Sequence, residues 1–193
     1  MDSTSLRQER LVSAVLAPFA RSGASSALDA GFRALFEAEL RYVWTSLGRL
    51  GISDRDREDL ASEVFFRVHR RIADWDRTRP VRPWLFAFVV RVASEHRKLA
   101  RTHREQLGAS EDVASLAVGT EPRGSEDRQL VQLGLLSLDL EKRAVFVMHF
   151  LDEFTIPEIA RALEIPVGTA YSRLRAAREI FAATVRTVRK GER

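Results

Sequence analysis

Between Thr155 and Ala183 the positions Gly168, Thr169, Tyr171, Ser172, Arg173, Arg175 and Arg178 form a polar and cationic set, with no acid until Glu179. Guanidinium forks and hydroxyls at such positions donate hydrogen bonds to phosphate oxygens and to base edges. Small residues at the start of the set allow a backbone to approach closely. Interleaved with them, Val167, Ala170, Leu174, Ala177 and Phe181 advance by 3, 4, 3 and 4, which is the spacing of one buried helical stripe. The polar set therefore faces away from that stripe. Just before it, Ile159, Ala160 and Leu163 mark a shorter helix, and Glu164-Ile165-Pro166 breaks the chain, with Pro166 preset to open the next helix. Ala160 and Ala170 permit the tight crossing that a helix-turn-helix requires.

A second concentration of charge precedes this one. From Arg67 to Glu105 there are eleven Lys or Arg residues against four acids, and from Tyr171 to Arg193 there are seven against two. Local excesses of +7 and +5 thus sit in a chain whose formal net charge is only +4. Two basic blocks with acid between them suit a polyanion that spans both, because Arg and Lys gain affinity by neutralising phosphates and releasing counterions. Enzymatic chemistry finds little support. The chain has no cysteine, which removes disulfides, thiolate metal sites and a thiol nucleophile together. His69, His96, His103 and His149 lack metal-ligand spacing, and neither a phosphate-binding glycine loop, an HExxH motif nor a nucleophile elbow occurs. The prediction is no cofactor, no metal and no catalytic residue.

The elements that must position these residues are nearly all helical. At 193 residues, 45% hydrophobic and 30% charged, the chain suits one large or two small domains, at roughly 100–200 residues each. Apolar positions recur at helical spacing from Phe32 to Trp44, after which Gly48 and Gly51 loosen the chain. Ser53 can cap a helix whose first turns carry Asp54, Asp56, Glu58 and Asp59, and whose apolar face is Leu60, Val64, Phe65, Val68 and Ile72. A third helix is expected from about Pro83 to Arg104, with Leu85, Phe88, Val89, Val92 and Leu99 inward. Trp84 reads as a core anchor, while Trp75 lies at a helix end. Glycines, serines and acids from Leu107 to about Arg128 read as a flexible linker. Helices are then expected over about Leu130–Leu136, Glu141–Leu151, Ile156–Leu163 and Val167–Val185. The fold class is all-α: two small helical domains joined by a flexible linker, the second containing the helix-turn-helix. The expected division is an N-terminal extension over 1–28, a first domain over 29–106, an acidic linker over 107–129 and a second domain over 130–188. No apolar run reaches the ~18 residues of a membrane span, and the run Leu11–Ala20 is a poor signal peptide because Asp2 and Glu9 interrupt its basic flank.

The stretch from Pro166 to Arg178 (PVGTAYSRLRAAR) resembles region 4 of bacterial RNA polymerase sigma factors, in the form typical of the extracytoplasmic-function group. Asp139 to Ile159 is similar to the helices that precede it. Independently, Asp59 to Val68 (DLASEVFFRV) resembles region 2.2, and Pro83-Trp84-Leu85-Phe86 with Arg91 to Arg101 resembles regions 2.3 and 2.4. The resemblance covers about Phe32 to Val185, apart from the linker.

It implies a non-enzymatic transcription initiation factor that binds core RNA polymerase and promoter DNA. Tyr171, Ser172 and Arg175 would read bases of the −35 element, with Gly168, Thr169, Arg173 and Arg178 near phosphates or supporting the reading helix. Arg91, Glu95, His96, Arg97, Lys98 and Arg101 would serve the −10 element and capture an unpaired base. Asp56, Asp59, Glu63 and Arg67 would meet the β′ clamp helices, and the second domain the β flap. The resemblance further implies an anti-sigma partner, a cytoplasmic location and a monomer when free. Arg91 stands where the family usually has Asn, and Tyr171 where Lys or Arg is usual. Two other readings remain: a stand-alone helix-turn-helix regulator dimerised through its first domain, and a sigma-like interaction protein that does not initiate.

Overall fold

The computed structural model describes residues 26–106 and 126–191, so the expectations for the chain before residue 26 and for the linker over 107–125 lie outside the described residues. Seven α-helices occur among the described residues: α1 Ser26–Arg49, α2 Arg57–Arg70, α3 Val81–Gln106, α4 Glu126–Leu136, α5 Leu140–Phe150, α6 Ile156–Ala162 and α7 Val167–Gly191, with a 3₁₀ turn at Ile72–Asp74. The all-α expectation holds. The helices form two domains, and the second contains the helix-turn-helix.

Helices α1, α2 and α3 pack on one another. Phe32, Phe36, Leu40, Val43 and Leu47 repeat every three or four residues along α1 and are all buried, as one helical stripe requires. The rings of Phe36 and Phe65 meet edge to face at 4.5 Å and tie α1 to α2. Asp56 precedes α2, accepts a hydrogen bond from the Ser53 hydroxyl at 2.7 Å, and leads into Glu58 and Asp59, where the helix dipole favours acids. In the second domain α4, α5 and α6 all pack on α7. Asp139 caps α5 by accepting from the Lys142 backbone N–H at 2.8 Å. Phe146 stacks on Phe181 at 4.6 Å and locks α5 to α7.

Helix α2 starts at Arg57 with Asp56, and not the expected Ser53, at its N-cap position, and further details differ from the sequence expectations. Helix α4 begins at Glu126, so Glu126 and Asp127 belong to a helical first turn, where acids are favoured, and not to the linker. Leu99 is 72% exposed, on the stretch of α3 beyond Ala93, its last fully buried side chain. Val167 is 45% exposed at the first residue of α7, ahead of the crossing point at the buried Ala170.

The domains also pack together. Helix α3 lies against α5 and α6, and the buried apolar residues form one continuous cluster. At its centre Arg143 of α5 is 2% exposed. Its guanidinium donates to the carbonyls of Leu50 at 2.8 Å, Leu136 at 3.0 Å and Leu138 at 2.7 Å. Arg97 of α3 donates to the same Leu50 carbonyl at 2.7 Å. Gly51 makes this possible: its φ is +89°, and a Cβ there would fall 2.4 Å from Arg143 Nη1 and 2.9 Å from Arg97 Nη2. A Gly51→Ala substitution is expected to destabilise the fold by about 1–2 kcal/mol from the left-handed backbone alone, and by more if the guanidiniums must move. Urea unfolding checks this, with a lower midpoint at an unchanged slope as the expected result.

Candidate nucleic-acid interface

The helix-turn-helix is built by α6 and α7. The Glu158 carboxylate accepts from the Thr155 backbone N–H at 2.8 Å and from its hydroxyl at 2.6 Å, which fixes the start of α6. The chain leaves α6 through Glu164, whose φ of 56° is left-handed, and Ile165 N–H returns to the Ala160 carbonyl at 2.9 Å. Pro166 then precedes α7, and its carbonyl accepts from Ala170 N–H. Buried Ala160 and Ala170 set the close crossing of the two helices.

On the outer face of α7, Gly168, Tyr171, Ser172, Arg175 and Arg178 are exposed, while Thr169 and Arg173 are half-buried. Tyr171 is 58% exposed although it is a large ring. No atom lies within 4 Å of the position a Cβ on Gly168 would take, so internal packing does not require glycine there. The cations of this face are lightly held. Arg175 reaches Glu179 at 3.1 Å, Arg173 pairs with Glu141, and the Arg178 guanidinium lies 6.0 Å from the centre of the exposed Phe150 ring. Exposed pairs of this kind contribute about 0–1 kcal/mol each, so a phosphate can replace the carboxylate at little cost.

The six α3 residues assigned to the −10 element divide by their surroundings. Lys98 and Arg101 are exposed, with Arg101 paired to Glu105 at 2.9 Å. Glu95 and His96 turn towards α2. Glu95 receives a two-pronged bond from Arg67 at 2.6 and 2.8 Å, and His96 Nε2 lies 3.7 Å from Asp56. Arg91 turns towards the second domain and pairs with Glu164, whereas Arg97 bonds to the Leu50 carbonyl of its own domain. The residues assigned to polymerase contact therefore touch the assigned −10 set, since Arg67 also bonds Glu63 at 2.7 Å. Asp59 is exposed. Trp75 stacks on Trp84 at 6.2 Å, and Trp84 meets Phe88 edge to face, so neither tryptophan stands free on the surface.

Sequence reasoning missed two polar residues on which the packing turns. Arg143 is one. The other is Asp152, whose side chain is 6% exposed and accepts from the Tyr42 hydroxyl at 2.9 Å and from Arg49 at 2.7 Å. Burial holds the Asp152 carboxyl above its usual range, although the bonds from Tyr42 and Arg49 oppose the shift. Its place directly before the apolar run Ala144–Met148 is the signal the sequence offers for Arg143.

The hydrogen bonds from Arg67 hold the Glu95 carboxyl below its ordinary range. A depressed carboxyl stabilises the fold above its unfolded value of about 4.3, and that contribution disappears as pH falls through the folded midpoint. For so exposed a pair it is below about 1 kcal/mol. Carbon-detected NMR titration of Glu95 should give a low midpoint in the wild type that moves upward in Arg67→Met.

No helix among the described residues is long and apolar enough to cross a membrane, and no metal-binding group of His, Asp or Glu occurs among them. Residues 35–103 match the family model for sigma-70 region 2, and residues 128–181 match that for sigma-70 region 4. The chain is 31% identical over 157 residues to the ECF RNA polymerase sigma factor SigL of Mycobacterium tuberculosis, covering 79% of this chain and 88% of that protein. It is 26% identical over 145 residues to the ECF sigma factor SigW of Bacillus subtilis, covering 68% and 76%. Among solved structures, the fold matches the sigma factor RpoE in complex with the anti-sigma factor NepR from Bartonella quintana, at TM-score 0.67 and 19% identity over 81% of this chain and 97% of that one. It also matches CnrH in complex with the cytosolic domain of CnrY, at TM-score 0.59 and 22% identity over 94% and 98%. With both sigma regions matched in order, each on a helical domain of the right kind, the chain belongs to the extracytoplasmic-function group of the sigma-70 family, non-enzymatic factors for transcription initiation.

Proposed function

We propose that this sigma factor directs core RNA polymerase to promoters by reading the −35 element with α7 and stabilising an opened −10 strand with α3. The observation that carries the reading is the outer face of α7 from Gly168 to Arg178, which is exposed, polar and cationic on a helix set at the crossing of a helix-turn-helix. Tyr171, Ser172 and Arg175 lie where a helix inserted in a major groove presents base readers. Gly168, Thr169, Arg173 and Arg178 lie where phosphates pass or where the reading helix needs support.

On the first domain, Asp56, Asp59, Glu63 and Arg67 supply the charged surface for the β′ clamp helices, while the second domain meets the β flap. Arg91, Glu95, His96, Arg97, Lys98 and Arg101 supply the −10 surface. This division assigns 29–106 to polymerase and −10 contact, 107–129 to the tether and 130–188 to the −35 element. Binding accounts for the whole activity. Phosphate contacts position the factor and base contacts select the promoter. The anti-sigma partner in the RpoE complex supports a partner of that kind for this chain. A cytoplasmic, monomeric free form completes the reading.

Run-off transcription with core polymerase tests it. Wild type is expected to give specific transcripts, and Arg175→Ala is expected to lose about tenfold or more in promoter discrimination, as the loss of a base contact worth ~1–3 kcal/mol requires. Glu63→Ala should weaken binding to core polymerase while leaving −35 duplex selectivity intact. Absence of any specific transcript from wild type on genomic templates would overturn the initiation reading.

A further inference from the structure

Tyr171 presents a bare aromatic ring on the outer face of α7. Of the exposed large apolar side chains, only Leu99 is more open to solvent. Among the described residues nothing bonds the Tyr171 hydroxyl, and no ring or guanidinium packs on it. Phe150, also exposed in this domain, differs on that point, because it packs on Phe146 and carries Arg178 over its face. Internal packing therefore does not account for an aromatic residue at position 171.

Its neighbours along the helix narrow what it can meet. Gly168, Tyr171, Arg175, Arg178, Ala182 and Arg186 advance by 3, 4, 3, 4 and 4, so they share one face of α7. The face is cationic beyond Tyr171, where the last four of these residues line a groove. Its N-terminal end, the part of a recognition helix that meets base edges, holds only the ring and the glycine. Helical side chains lean towards the N-terminus, which carries the Tyr171 ring over the turn that contains Gly168. A Cβ on Gly168 would meet no atom within 4 Å, so open space lies between the ring and the glycine Cα. Ser172 sits about 100° further round the helix. Its hydroxyl already donates to the Thr169 carbonyl at 3.0 Å, which leaves it acceptor capacity only.

A notch walled by an aromatic ring and a bare Cα offers contact area to an apolar group. In the major groove the edges of adenine, guanine and cytosine present donors and acceptors, and thymine alone adds an apolar group, its C5-methyl. We propose that Tyr171 and Gly168 together select thymine in the promoter duplex, seating the C5-methyl group between the Tyr171 ring and the Gly168 Cα. The selection is of shape and apolar contact, and it needs no hydrogen bond from the Tyr171 hydroxyl. It rests on the reading of α7 as the −35 helix made above, and it names a base that this helix takes.

Holoenzyme assembled from core polymerase and the full chain tests this by selection from promoter duplexes randomised across the −35 region. Thymine is expected to dominate at one position at least. Replacing that thymine with deoxyuridine removes the methyl group and keeps the hydrogen-bonding pattern. In competition binding this should weaken wild-type holoenzyme about fourfold, the value of one buried methyl. Tyr171→Phe should keep the thymine-to-uracil ratio, because the ring remains. Tyr171→Ala should bring the ratio close to one with native circular dichroism, since the side chain lies outside the core. Gly168→Ala fills the notch, so it should lower the ratio while the melting temperature holds or rises. Arg175→Ala should lose discrimination at a neighbouring base pair and keep the ratio. Equal binding of uracil and thymine at every selected position overturns the inference, and so does a Tyr171→Ala variant that retains the full ratio. Absence of any selected −35 sequence overturns the reading of α7 and this inference together. A selected sequence without a methyl effect removes only the inference, so the two failures are distinguishable.

Discussion

The guanidinium of Arg143 holds three backbone carbonyls, one from the loop after α1, one from the last residue of α4 and one from the turn between α4 and α5. Carbonyl oxygens left bare inside an apolar cluster would each carry a desolvation cost of about 1–3 kcal/mol. An arginine is suited to prevent this, because its planar fork offers several donors from one side chain and it stays protonated even when burial lowers its pKa to about 9. The side chain thereby ends the first helix hairpin, closes the α4–α5 turn and joins the domains in one step. It also explains why a glycine with φ +89° stands at position 51, where a Cβ would collide with the same fork. Removing one partner from a buried charged arrangement costs about 3–5 kcal/mol, so this centre constrains what the surrounding surfaces can do.

Apolar spacing along the chain was enough to locate all seven helices, most of them by a buried stripe at three- and four-residue steps and α5 by a continuous buried run from Arg143 to Met148. The helix-turn-helix was legible for the same reason, with Pro166 as punctuation and alanines at the crossing. Spacing failed near helix ends. Leu99 continues the apolar rhythm of α3 past Ala93 but is exposed, and Val167 starts the α7 stripe one turn before contact begins. Periodicity reports which face a residue shares, and it carries no information on where the neighbouring helix stops.

Polar contacts between the domains were illegible for a different reason. Tyr42 and Asp152 are 110 positions apart, and Leu50 and Arg143 are 93 apart. No local pattern joins them. An aspartate just after a helix end is unremarkable by itself, since acids are common in turns, and only burial by α1 turns Asp152 into a structural centre. Charge counting had a similar blind spot. It found the two basic blocks, yet it could not tell that Arg67 bonds both Glu63 and Glu95, or that Arg97 bonds a carbonyl.

Those pairings separate the cations by how readily they can be exchanged. Arg175, Arg173 and Arg101 hold exposed or half-exposed carboxylates, in contacts that water and salt already weaken. A phosphate offers each of them the same geometry with more charge, so the exchange requires no movement of the fold. Arg97 is held differently, by a part-buried bond to the Leu50 carbonyl that Arg143 also occupies, on the face where α3 meets α5. The cations on the outer face of α7 and Arg101 on α3 thus hold partners that a phosphate can displace, whereas Arg97 is built into the packing.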